Sequence, residues 1–168
     1  MFRALALTLV LGLFAATAPA GPNPKEAAKY VKDLKTSKDA KVRATALTEI
    51  GKIGQIQKAL VEDALPDVVK ALADKETAVR AAAAKAYGML DPEPKEAVPA
   101  LLKLLKEDKA AEVKVAAVEG LGMMGPSAKD ATKELREVVR SKKDKDNRPT
   151  PLARAAQNAL RQINPPKK

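Results

Sequence analysis

The sequence predicts an all-α fold of about four stacked helical hairpins, and three observations lead there. One phrase recurs: Val-Arg, two residues, Ala, three residues, a bulky apolar residue, Gly. It reads Val42-Arg43, Ala46, Ile50-Gly51, then Val79-Arg80, Ala83, Tyr87-Gly88, and with a basic swap Val113-Lys114, Ala117, Leu121-Gly122. Apolar positions four apart lie on one stripe of a helix. A weaker fourth copy, Leu152, Ala156, Leu160, keeps the stripe and drops the second-position base and the Gly. The copies start 37, 34 and 39 residues apart, a period at which each unit buries its apolar face against the next copy. Finally, the chain contains no Cys, and Ala and Leu dominate its apolar content, which favours closely packed helices held by apolar contact alone.

Taken in order, the chain opens on Met1 to Ala20, which reads as an export signal. Arg3 is its positive region, Ala4 to Ala16 its uncharged stretch, and Ala18-Pro19-Ala20 its small-residue cleavage site, leaving Gly21 as the expected new terminus. The stretch is short for a membrane span; an uncleaved anchor is the alternative. Residues 21–168 form the expected repeat domain, with units at about 25–54, 55–91, 92–125 and 126–164. First helices are expected near Lys25 to Thr36, Gln55 to Ala73, Glu96 to Glu107 and Ser127 to Ser141. Second helices are expected near Ala40 to Lys52, Glu76 to Met89, Ala111 to Met123 and Pro151 to Ile163.

Five residues before each repeated Val or Leu stand Ser37, Asp74, Asp108 and Asn147. These short polar side chains satisfy loose backbone N–H groups at turns. Gly51 and Gly54, Gly88 with Asp91-Pro92, and Gly122 and Gly125 with Pro126 read as helix stops. Pro99 is expected near a helix start, where its missing N–H costs little. Pro66 falls deeper in its segment and predicts a kink or restart.

An apolar-Pro helix, an Asp-containing turn and a Val-Arg-x-x-Ala helix ending in Gly resemble the HEAT repeat, especially its bacterial variants. The resemblance spans about Lys25 to Asn164 and is fullest at 55–91 and 92–125. It weakens at the ends, where Ser37 replaces Asp and Leu152-Ala153 replaces Val-Arg, as capping units require. It implies a right-handed superhelix of the armadillo and HEAT type with the second helices on its concave side. It also implies that Arg43, Arg80 and Lys114 form a ladder tying the turn residues of the same or a neighbouring repeat, with Asp74 and Asp108 available; if the ladder points outward instead, it is an anion rail.

The concave surface implied by that resemblance would present Lys41, Thr45, Thr48, Glu49 and Lys52 from the first unit, Ala84 and Lys85 from the second, and Val115, Val118 and Glu119 from the third. Its mixed polarity suits a shallow protein or peptide groove better than a phosphate track, which needs a denser run of bases; a merely solvated face is the other reading. The segment Ser141 to Thr150 reads as a polar insertion, since its Asp144-x-Asp146 pattern lacks the Gly and distal Glu of a calcium loop. Met89, Met123 and Met124 read as packing between repeats, and Tyr30 and Tyr87 as part of or beside the apolar stripe.

The net charge of +10 falls to +9 once Arg3 is removed, with 30 basic against 21 acidic residues. This favours anionic partners without specifying them. With no His and no Cys there is no imidazole base, no thiolate and no ordinary zinc or haem site, so no catalytic residue, metal, cofactor or small-molecule substrate is identified. The sequence therefore points to an exported, non-enzymatic scaffold with a protein or peptide partner. The alternative is a basic solenoid that binds nucleic acid, an envelope polymer or a membrane surface electrostatically. Oligomeric state is left open.

Overall fold

The computed structural model of the chain describes residues 21–141 and 148–166. The leader Met1 to Ala20 lies outside the described residues, as do Lys142 to Asn147, which hold the Asp144-x-Asp146 pattern and the fourth turn residue. Among the described residues there are eight α-helices: α1 (Pro24–Thr36), α2 (Ala40–Gln57), α3 (Leu65–Ala71), α4 (Thr77–Met89), α5 (Pro94–Glu107), α6 (Ala111–Met123), α7 (Thr132–Ser141) and α8 (Pro151–Ile163). Tight 3-10 turns at Lys58–Leu60, Glu62–Ala64 and Gly125–Ala131 precede α3 and α7. No helix among the described residues is long and apolar enough to cross a membrane.

The helices pack as an all-α solenoid. Each odd-numbered helix lies on the even-numbered helix that follows it, and α2, α4, α6 and α8 each pack on the next. A single apolar core runs through the stack. Leu47, Ile50, Val79, Leu101, Val113, Leu121 and Leu135 are fully enclosed, and no polar or charged residue among the described ones is buried outright. Tyr87 is buried and Tyr30 half-buried, while Met124 is buried and Met89 and Met123 are half-buried.

Helix starts follow local chemistry. The side chains of Asn23, Asp39 and Thr150 accept from the N–H groups of Lys25, Lys41 and Ala153, satisfying donors that have no intrahelical partner. Ser37, Asp74 and Asp108 accept from the N–H two residues on, at Asp39, Glu76 and Ala110.

Several expectations are corrected. The repeated glycines are not stops: α2 runs through Gly51 and Gly54 to Gln57, and Gly88 and Gly122 lie inside α4 and α6. The left-handed backbone that ends a second helix belongs to Gly125 (φ 56°) after α6, as expected, and to Asp91 (φ 42°) after α4. The glycines serve close approach. A Cβ at Gly88 would lie 2.6 Å from the Cα of Gly120 on α6, one at Gly120 would strike the Ala84 carbonyl of α4, and one at Gly122 would lie 3.0 Å from the Cα of Ala159 on α8.

Of the prolines, only Pro99 departs from expectation. Pro66 opens α3 after two 3-10 turns, the expected restart, whereas Pro99 lies inside α5 because that helix begins at Pro94. In α8 the fully buried stripe is Ala153, Ala156, Ala159 and Ile163, with Leu152 and Leu160 only half-covered. Among the described residues α8 packs on α6 and α7, and its buried stripe turns toward them. On α2, Val42 of the repeated phrase is 37% exposed.

Candidate binding groove and the clasps that shape it

The charged ladder links one repeat to the next. Arg43 on α2 donates from Nε and Nη2 to the two carboxylate oxygens of Asp74 at 3.1 and 2.9 Å, and Arg80 on α4 does the same to Asp108 at 2.7 and 3.1 Å. The remaining guanidinium nitrogen of each turns back on its own hairpin, to the Ser37 and Lys38 carbonyls from Arg43 and to the Asp74 and Lys75 carbonyls from Arg80. A planar fork with this many donors fixes both the turn it leaves and the turn it reaches. Lys114, a point charge, donates to the Lys106 carbonyl at 3.2 Å within its own repeat.

The carboxyl of Asp108 is held below the usual carboxylate range, chiefly by the Arg80 hydrogen bond. At Asp74 burial pushes upward, but the bonds from Arg43 and the Glu76 N–H together outweigh it and lower the value. A carboxylate depressed in the folded state adds stability that is fully present above the unfolded value, about 4, and is lost as pH falls through the folded value. The melting temperature is therefore expected to stay level from neutral pH to about pH 5 and to drop below about pH 4. In Asp108→Asn it should start lower at neutral pH and fall less steeply in acid. An acid limb identical to the parent's would show that this clasp does not carry the dependence.

With successive turns clasped in this way, α2, α4 and α6 line an open groove of about 820 Å³. Its floor is small and apolar, with Ala44, Ala78, Ala81, Ala82, Ala111 and Val115 contributed by the three helices. Lys41, Lys85, Glu112 and Glu119 supply its charge, and Lys85 pairs with Glu119 at 2.6 Å, joining α4 to α6. Thr45 and Thr48 also line it; the Thr48 hydroxyl donates back to the Ala44 carbonyl.

Of the residues expected on this surface, Lys41, Thr45, Thr48, Lys85 and Glu119 line the groove, and so does Val115. Glu49 and Lys52 are not among the lining residues and pair with each other at 2.7 Å one turn apart. Ala84 and Val118 are fully buried; Ala84 lies at the close contact between α4 and α6, against Gly120. Sequence reasoning missed the alanine floor and Glu112. The signal was available in α4, where Ala78, Ala81, Ala82 and Lys85 recur at three- and four-residue steps beside the buried Val79-Ala83 stripe. Alanine simply reads as core. Within the groove there is hydroxyl, ammonium and carboxylate chemistry but no imidazole or thiol, so the arrangement suits recognition by shape and charge.

A family model described as HEAT repeats matches the chain twice, over residues 27–114 and residues 65–161, together most of its length. No curated protein matches it significantly.

Proposed function

The chain belongs to the HEAT repeat family, and from that premise we propose that it is a non-catalytic scaffold that seats a segment of another protein in the groove of α2, α4 and α6. The carrying observation is the floor of that groove. Alanine side chains let a partner's backbone or small side chains approach closely while covering apolar surface, and Lys41, Lys85, Glu112 and Glu119 beside them set register rather than supply bulk attraction. The absence of His and Cys from the whole sequence supports the non-catalytic part of the reading. The composition of Met1 to Ala20 supports action outside the cytoplasm after cleavage before Gly21.

The test is an affinity capture from the native cell envelope with a photo-crosslinker at Ala82. Its companion variant is Ala82→Glu, which fills the half-buried groove floor without entering the core. A crosslinked protein that persists at high salt and binds Ala82→Glu at least about tenfold more weakly is expected, since a charge set into an apolar contact costs more than about 1.4 kcal/mol. Undiminished binding to Ala82→Glu, or recovery of anionic polymer alone, would sink the groove reading. A chain isolated from membranes with Met1 still in place would sink the cleavage.

A further inference from the structure

Net charge is not spread evenly along the array. Residues 25–54 hold eight basic and four acidic side chains, and residues 126–164 hold ten and five. The two central repeats, 55–91 and 92–125, hold five basic and six acidic each. The positive balance thus belongs to the ends.

In the last repeat the cations also fall in rows. Lys129, just before α7, and Lys133, Arg136 and Arg140 on it are all exposed and follow i, i+4, i+7, i+11 along one edge. Asp130, Glu134 and Glu137 stand beside them and line the same shallow depression, and Glu134 reaches back to Lys106 of α5 at 3.8 Å. Leu135 between them is fully buried, so the row of cations lies on the exposed side of α7. On α8, Arg154 and Arg161 are exposed and two turns apart, while Ala159 and Gln162 lie against Gly122 of α6, so this pair faces away from α6. None of these six cations takes part in an ion pair among the described residues.

We propose that this terminal face of α7 and α8 docks on an anionic lipid bilayer through Lys129, Lys133, Arg136, Arg140, Arg154 and Arg161. The α7 row spans about 16 Å at 1.5 Å per residue, and the α8 pair lies on a helix packed roughly 8–10 Å away. Two rows make an area, which meets a plane of lipid phosphates at many points, whereas a linear polymer needs only one track. Residues 126–164 contain no aromatic side chain, so the face has no platform for stacking nucleic-acid bases. It lies at one end of the stack, apart from the groove, and the proposal holds whether or not the groove binds a protein.

The full chain is mixed with phosphatidylcholine vesicles, pure or carrying about 30% phosphatidylglycerol, and the gain in binding caused by the anionic lipid is read. Pure phosphatidylcholine supplies the baseline for any contribution of the apolar leader. Each cation near an anionic surface strengthens binding about fivefold, so R136Q/R140Q/R154Q should lose about a hundredfold of the gain. The matched triple K70Q/K95Q/K103Q, exposed bases on α3 and α5, should lose much less. All three proteins should give the same circular dichroism, and Ala82→Glu should bind vesicles as the parent does, which separates this proposal from the groove reading. No gain from phosphatidylglycerol, equal losses in the two triples, or binding to soluble polyphosphate as tight as to vesicles at equal phosphate would each overturn it.

Discussion

Gly88→Ala is expected to destabilise the protein by about 2 kcal/mol or more, although the same change in an isolated helix is favourable by about 1 kcal/mol. The new Cβ would stand 2.6 Å from both the Cα and the carbonyl carbon of Gly120. Backbone cannot rotate aside, so α4 and α6 must separate, and the fully buried Ala84, which lies against Gly120 at the same joint, loses that contact. Overpacking of this kind costs about 1–3 kcal/mol and sometimes more, which exceeds the gain in propensity. Urea unfolding of Gly88→Ala beside Gly54→Ala checks the argument. At Gly54 the obstacle is the Leu90 side chain, which has rotamers to move into, so the loss should be smaller. A Gly88→Ala protein as stable as the parent would mean that the helices have room there.

Removing a clasp should cost about as much. Arg80→Leu leaves the Asp108 carboxylate only 6% exposed with its forked donor gone, and strips a donor from the Asp74 and Lys75 carbonyls. Losing one partner of a hydrogen-bonded charge pair that is mostly covered costs about 2–3 kcal/mol. The penalty comes largely from the stranded carboxylate, so Arg80→Leu with Asp108→Leu together should unfold at a higher urea concentration than Arg80→Leu alone. Arg80→Lys should recover only part of the loss, because an ammonium cannot span both oxygens of Asp108 and reach two carbonyls at once. Additive losses in the double variant would show that the two side chains do not act as a pair.

The parts of this fold legible in the sequence were those that each repeat states again. Helix pairs followed from the apolar stripes, and the resemblance to HEAT repeats implied that Arg43 and Arg80 tie turn aspartates; that each reaches forward, to Asp74 and Asp108 of the next repeat, came from the structure. What escaped depends on neighbours that one helix does not reveal. Nothing local distinguishes a glycine that ends a helix from one that admits another helix, so Gly51, Gly88 and Gly122 were misread. Pro66 restarted its helix as expected, but Pro99 was placed near a helix start and lies inside α5, because Pro94 opens that helix. Ala84 and Val118 were expected on the open surface and are buried, while Ala78, Ala81 and Ala82 went unremarked and line the groove; a single methyl group looks the same in both settings until the adjacent helix is placed.

The direction of the clasps has a consequence for length. The second repeat offers Asp74 to the repeat before it and extends Arg80 to the repeat after it, and it likewise lies against Gly51 with Ala86 and against Gly120 with Gly88. Its two sides are thus complementary to one another, as the edges of a tile must be. A duplicate of residues 55–91 inserted after Asp91 would find the acceptor it needs in its twin, and the trough would lengthen by one helix without any new joint being invented. The protein carries in its middle a unit from which longer relatives of itself can be built.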